Sequence, residues 1–200
     1  METNSLIKFD FPTIPKVVRA GVTKLPAGKK FHEHCKDLHE IDFTTSGQAQ
    51  LVVNGQPAFF LPGYVNVFQP GDVCSGQGDA RHGLLSHRWV EFQWPSAGSK
   101  GSPDASNALP LPRLMKLPPQ AQGEVRTAFD ALVACFDGAW SGWEMAASGY
   151  LLALLGILRR EAERGRPRGP QASDRRLNLA LIYLERNFLR PIKIREVAAA

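Results

Sequence analysis

In the stretch "LVVNGQPAFFLPGYVNVFQPG", residues 51–71, short apolar runs are cut by Asn54-Gly55, Pro62-Gly63 and Pro70-Gly71. This punctuation constrains the fold more than any other feature of the chain. Asn-Gly supplies the two positive φ angles of a two-residue type I′ hairpin, so the flanking runs are predicted to pair as antiparallel strands. The Pro-Gly pairs bracket another short strand, because proline presets one turn angle and glycine accepts the next. The same texture extends over the first half, and it predicts strands over 17–23, 39–45, 48–53, 58–61, 65–68 and 89–94. Six or more short strands at such spacing favour a small barrel or sandwich.

Beyond Ser96 the pattern changes. "SAGSKGSPDASNALPLP" has the composition of a loop, and after it the apolar period lengthens to that of a helix. A first helix is expected from Pro118 or Pro119, with Ala121, Val125, Ala128, Phe129, Leu132, Val133 and Phe136 on one stripe and Gly138 at its end. Ser141 stands three residues before Glu144, the spacing of a capping box, ahead of a second helix through about Leu158. Two helices joined so tightly form an antiparallel hairpin. Its apolar surface needs a cover, supplied by the β-domain or by a second copy of the chain.

"RREAERGRPRGPQAS" then reads as a linker, followed by Leu177, Ala180, Leu181, Leu184 and Phe188 on one helical face, a break at Pro191, and a further helical start at Ile194, Val197 and Ala198. Charge follows this division. From Arg159 to Ala200 there are 11 Lys and Arg against 5 Asp and Glu, which leaves 13 against 14 in residues 1–158. The positive potential therefore belongs to the tail, where it suits a polyanion such as DNA without specifying a sequence.

Three scattered cysteines, Cys35, Cys74 and Cys135, make no disulfide framework and point to a reducing compartment. The start "METNSLIKFDFPTIPK" does not resemble a secretory signal, and the most apolar run, 150–158, is far short of the roughly 20 residues that span a bilayer. A soluble cytoplasmic protein without a membrane partner is expected. No nucleophile with an evident base, phosphate loop or nucleotide fingerprint is present, so no catalytic residue is assigned and hydrolase, kinase and dehydrogenase readings lack support.

Two stretches, in this order, resemble bacterial transcription regulators of the AraC/XylS type. "TTSGQAQLVVNGQPAFFLPGYVNVFQPGD" with "HRWVEFQW" is similar to the sensor domain, and Tyr183 to Phe188 followed by Pro191 to Ala198 is similar to the start of the DNA-binding unit. The resemblance implies an α+β chain: a cupin-like (jelly-roll) β-barrel with an antiparallel helical hairpin over 1–163, a linker over 164–173, and one to two helices of a helix-turn-helix domain over 174–200. It implies an effector-sensing, dimerising part of a regulator, with a small-molecule effector such as a sugar or other catabolite, a homodimer, and promoter DNA only with a complete C-terminal domain. Recognition helices read base edges in the major groove. None follows within these 200 residues, so no DNA-binding residue is assigned and the chain alone is not expected to read DNA specifically.

Barrels of this size can enclose one small ligand. In "HRWVEFQW", His87, Trp89, Glu91 and Gln93 share one face and Arg88, Val90, Phe92 and Trp94 the other. The first set is expected to line the pocket: the indole offers a flat apolar surface, and the imidazole and carboxylate fix orientation. Sugar-sensing relatives imply effector contact at the positions of His87 and Trp89, and relatives also place a polar residue near His32. The effector set is therefore His87, Trp89, Glu91 and His32. The alternative is a metal-dependent cupin enzyme holding a divalent ion through His32, His34, Glu40 and Cys74, since "FHEHCKDLHE" carries the His-x-His and Glu of such enzymes. It departs from their pattern in the five residues separating His34 from Glu40, and in Cys74 at the place of the last histidine.

Overall fold

A computed structural model describes residues 14–94, 109–138, 140–165 and 193–198. The chain divides into two units, residues 1–162 and 163–200. In the first, eight strands come in succession: β1 (Lys16–Leu25), β2 (Lys30–Cys35), β3 (His39–Ser46), β4 (Ala49–Val53), β5 (Gln56–Phe60), β6 (Tyr64–Phe68), β7 (Val73–Gly78) and β8 (Leu85–Gln93). A short β9 (Leu114–Lys116) precedes helices α1 (Pro119–Gly138) and α2 (Trp143–Arg164). In the second unit the structure describes α3 (Ile194–Ala198), while the predicted helix over 177–188 and most of the linker lie outside the described residues.

The strands form two antiparallel sheets. Sheet A has the order β1-β8-β3-β6-β9 and sheet B the order β2-β7-β4-β5. From β1 to β8 successive strands alternate between the sheets except at the β4–β5 hairpin, which makes the cupin-like jelly roll, with helices following it. The hairpin turn lies where the sequence puts it: Val53 pairs with Gln56, and Asn54 and Gly55 have φ of 52° and 74°. Pro57 is accommodated because β5 is the edge strand of sheet B. The Asp72 carboxylate ties this end of the sandwich together. It accepts from the Gln69 amide and from Asn54 Nδ2, each at 2.7 Å, and pairs with Arg113.

Three strands went unpredicted, and β7 shows why. Its sequence, "VCSGQG", has a loop's composition, yet Gly76 is demanded by packing: a Cβ there would lie 2.3 Å from Phe31 Cζ and 2.5 Å from the Gln50 carbonyl oxygen. At the second helix the capping box is displaced. The amides of Met145 and Ala146 bond the Gly142 carbonyl, so Gly142, with φ of 88°, stands at the entrance rather than Ser141. Among the described residues no helix is long and apolar enough to cross a membrane.

The core lies in two layers separated by sheet A. On the outer side Ile41, Phe43, Val65, Val67, Val90 and Phe92 pack with Val125, Phe129, Leu132, Leu151, Leu154 and Leu158 of the helices. Between the sheets a smaller cluster holds Ala49, Leu51, Phe60, Phe68, Cys74 and Leu85. Phe129 of α1, fully buried, stacks on Phe43 with ring centroids 6.5 Å apart, and Arg88 Nε bonds Asp130 Oδ1 at 2.7 Å. Replacing Phe129 by Ala removes the centre of this layer and is expected to lower unfolding free energy by about 3–5 kcal/mol, read from urea denaturation. A loss below about 1 kcal/mol would show that the hairpin is not anchored there.

Candidate functional site

The alternation of β3, β6 and β8 decides what faces the space between the sheets. On β3, Ile41 and Phe43 point to the helices, which leaves Glu40, Asp42 and Thr44 on the inner face. On β6, Val65 and Val67 point outward and Asn66 inward; on β8, Val90 and Phe92 point outward, and His87, Trp89 and Glu91 inward. Register brings these inner residues side by side. Thr44 pairs with His87, Asp42 with Trp89 and with Asn66, and Glu40 with Glu91. Opposite them sheet B presents Ala49, Leu51, Phe60 and Cys74. The interior thus has one polar wall and one apolar wall.

The polar wall is held in place by a few pairings. Arg19 of β1 bonds Glu91 Oε2 through Nε at 2.6 Å, and Lys36 pairs with Glu40 and sits 5.2 Å from the Phe68 ring centroid. Trp89 Nε1 donates to Thr23 Oγ1 at 2.8 Å. Gly21 lets the indole lie against β1, because a Cβ there would approach Trp89 Cζ2 to 3.0 Å. His87 stacks on Phe60 of sheet B, ring centroids 4.8 Å apart.

Four buried polar atoms on this wall have no hydrogen-bond partner: Asp42 Oδ1, Thr44 Oγ1, Asn66 Nδ2 and His87 Nδ1. All four come from adjacent strands of one sheet face. Each such atom costs about 1–3 kcal/mol when unpaired, and all four lie on this one wall. Burial, first, and then the neighbouring Glu40 carboxylate raise the Asp42 pKa well above the usual carboxylate range. Burial lowers the His87 pKa to about 4, leaving a neutral imidazole at pH 7.

Of the residues expected from the sequence, His87, Trp89 and Glu91 lie together on this inner face, while Gln93 is exposed at the strand end. His32 and His34 are exposed on β2, away from the buried Glu40 of β3. His34 pairs in register with Cys74 of β7, but the Cys74 side chain is buried and desolvation raises its thiol pKa to about 11, which disfavours the thiolate that a metal would take. The Glu40 carboxylate is engaged by Lys36. Among the described residues no group of three or more His, Cys, Asp or Glu is arranged to hold a metal ion. The residues missed were Asp42, Thr44 and Asn66. The signal was present in "EIDFTTS", where polar residues alternate with apolar ones, but it reads equally as a strand with one wet face.

A family model described as the AraC-like ligand binding domain matches residues 20–155. The chain belongs to this family. The match runs from β1 into α2, so it covers the sandwich and most of the helical hairpin of this AraC-like domain. No curated protein gives a significant match. Similar solved structures include the cupin domain of Schizosaccharomyces pombe Cnp3, at 16% identity over 38% of this chain and 55% of that one, with a TM-score of 0.35. A predicted oxalate decarboxylase from Thermotoga maritima is 22% identical over 40% of this chain and 69% of that one, TM-score 0.35. YhaK from Escherichia coli is 14% identical over 53% of this chain and 44% of that one, TM-score 0.39. The chain thus spans little more than half the length of the Cnp3 domain.

The two perturbed groups act on stability with opposite sign. Between pH 6.5 and about 4 the unfolded His87 takes a proton that the folded one refuses, so its contribution falls as pH drops through that window. Folded Asp42 keeps a proton that the unfolded carboxyl loses above 3.8, so its contribution falls as pH rises. Urea midpoints at the two ends of the His87 window test this. Relative to wild type, the gain on going from pH 4 to 6.5 is expected to shrink in His87→Gln and to grow in Asp42→Asn; an identical gain in all three proteins would refute the assignment.

Proposed function

We propose that this AraC-like domain is a non-enzymatic effector sensor, in which a small polar catabolite lies between the two sheets and hydrogen-bonds the inner face of sheet A. The observation that carries the reading is the set of unpartnered buried atoms on Asp42, Thr44, Asn66 and His87, facing an apolar wall. Trp89 and Glu91 complete the binding face, and His32, exposed on β2, is at most a contact at the rim. Pockets of this make-up, mostly apolar with a few placed polar groups, suit small ligands.

The same strands supply a route for the signal. Asp42 faces the effector, while its neighbours Ile41 and Phe43 pack under the helices, so a shift of sheet A on binding moves the surface on which α1 rests. A ligand acts only through its different affinity for two arrangements. In this reading residues 174–200, within the second unit, are the N-terminal part of an AraC-type helix-turn-helix domain, whose basic residues favour DNA, and promoter binding requires the complete domain. The helical hairpin also pairs two copies of the chain. Trp140, Met145 and Tyr150 along and before α2 are 51%, 79% and 42% exposed, an apolar surplus that suits a second copy.

Isothermal titration calorimetry with sugars, aromatic acids and amines tests the sensor. The compound that binds wild type is expected to lose about tenfold or more in affinity to the His87→Ala, Trp89→Ala double variant. Equal binding by a folded double variant rejects the site.

A further inference from the structure

We infer that the effector is an uncharged amide, a carboxamide, lactam or ureide that presents a carbonyl and an N–H side by side, and that Asn66 and Asp42 read this edge. This rests on the effector reading above and names the chemical class that the site selects.

Charge on the inner face is already matched. Arg19 pairs with Glu91, and Lys36 pairs with Glu40 and faces Asp42 as well. Asp42 is hydrogen-bonded to Glu40, a contact in which two carboxyl groups share one proton, so the cluster with Lys36 carries no surplus charge. Burial keeps His87 uncharged. Among the described residues this face therefore offers no spare cation to a carboxylate and no spare carboxylate to an ammonium. An ion entering between the sheets would lose its hydration without gaining a counter-ion.

The unpartnered atoms specify the rest. Asp42 and Asn66 are direct partners across β3 and β6, yet Asp42 Oδ1 and Asn66 Nδ2 both lack a hydrogen bond, so this neighbouring acceptor and donor do not satisfy each other. Asn66 Nδ2 only donates, which an ammonium cannot accept; Asp42 Oδ1, outside the bond to Glu40, accepts, which a carboxylate cannot serve. Thr44 Oγ1 and His87 Nδ1, direct partners across β3 and β8, are unpartnered too. A primary amide carries two N–H donors and a carbonyl with two lone pairs, four positions for these four atoms, whereas a hydroxyl has a single donor. Trp89, opposite Asp42 in register and held by Thr23, sets an indole face beside such a flat group. Phe60 and Leu51 of sheet B would take the apolar remainder of the molecule.

A near-isosteric series, titrated calorimetrically into the full chain at neutral pH, tests this: benzamide as the amide, benzoate as the anion, benzylammonium as the cation and benzyl alcohol as the neutral hydroxyl. Benzamide is expected to bind at least about tenfold tighter than either ion, and about fivefold or more tighter than benzyl alcohol, which cannot serve the donor and the acceptor through separate atoms. Asn66→Leu, which removes the donor, is expected to bring benzamide down to the level of benzyl alcohol; should this variant not fold, the ranking of the probes by wild type decides. Benzoate, benzylammonium or benzyl alcohol binding as tightly as benzamide overturns the inference while leaving the effector site standing. Failure of every probe up to about 10 mM counts against both.

Discussion

Everything in this domain depends on sheet A being covered on both faces. Its outer face is sealed by α1 and α2 through Phe43, Val65, Val90 and Phe92, and its inner face is sealed by sheet B. A strand buried on both sides ordinarily becomes a continuous apolar run. Here β3, β6 and β8 keep alternating polarity instead, so their polar residues are driven into the interior. Unpartnered atoms on Asp42, Thr44, Asn66 and His87 follow directly from that conflict, and they are the ground for the proposed binding site between the sheets.

How the site is held explains which of its members are fixed and which are free to act. Glu91 and Glu40 are committed to Arg19 and Lys36, and Trp89 to Thr23, so these groups frame the wall. At its centre burial moves two groups in opposite directions, raising the Asp42 pKa and lowering that of His87. The strand that presents Asp42 inward also presents Phe43 to Phe129, so the inner wall and the helices share a single element.

Much of the fold was legible in the sequence, because its signals are local. Asn54-Gly55 fixed a hairpin, the Pro-Gly turns bounded β6, and the stripe from Ala121 to Phe136 gave α1. The strands β2 and β7 were not legible: Gly76 reads as a loop until Phe31 is seen lying across it. The site was half legible for a related reason. Period-two alternation shows that His87, Trp89 and Glu91 share a face, and equally that Glu40, Asp42 and Thr44 do, but it does not tell which face is wet. Only the helices over the opposite face decide that. The His32, His34, Glu40 and Cys74 set looked dense in sequence, yet β2 turns its histidines to solvent while Glu40 and Cys74 are buried.

The central claim is that the polar inner wall is maintained for a guest at a cost to the empty protein. Urea unfolding of a Thr44→Val, Asn66→Leu double variant measures this most directly. If the unpartnered hydroxyl and amide serve binding, replacing them with apolar groups of similar size raises the stability of the free chain, by about 1–3 kcal/mol. If they serve the fold itself, the double variant unfolds at lower urea than wild type, and the account is contradicted.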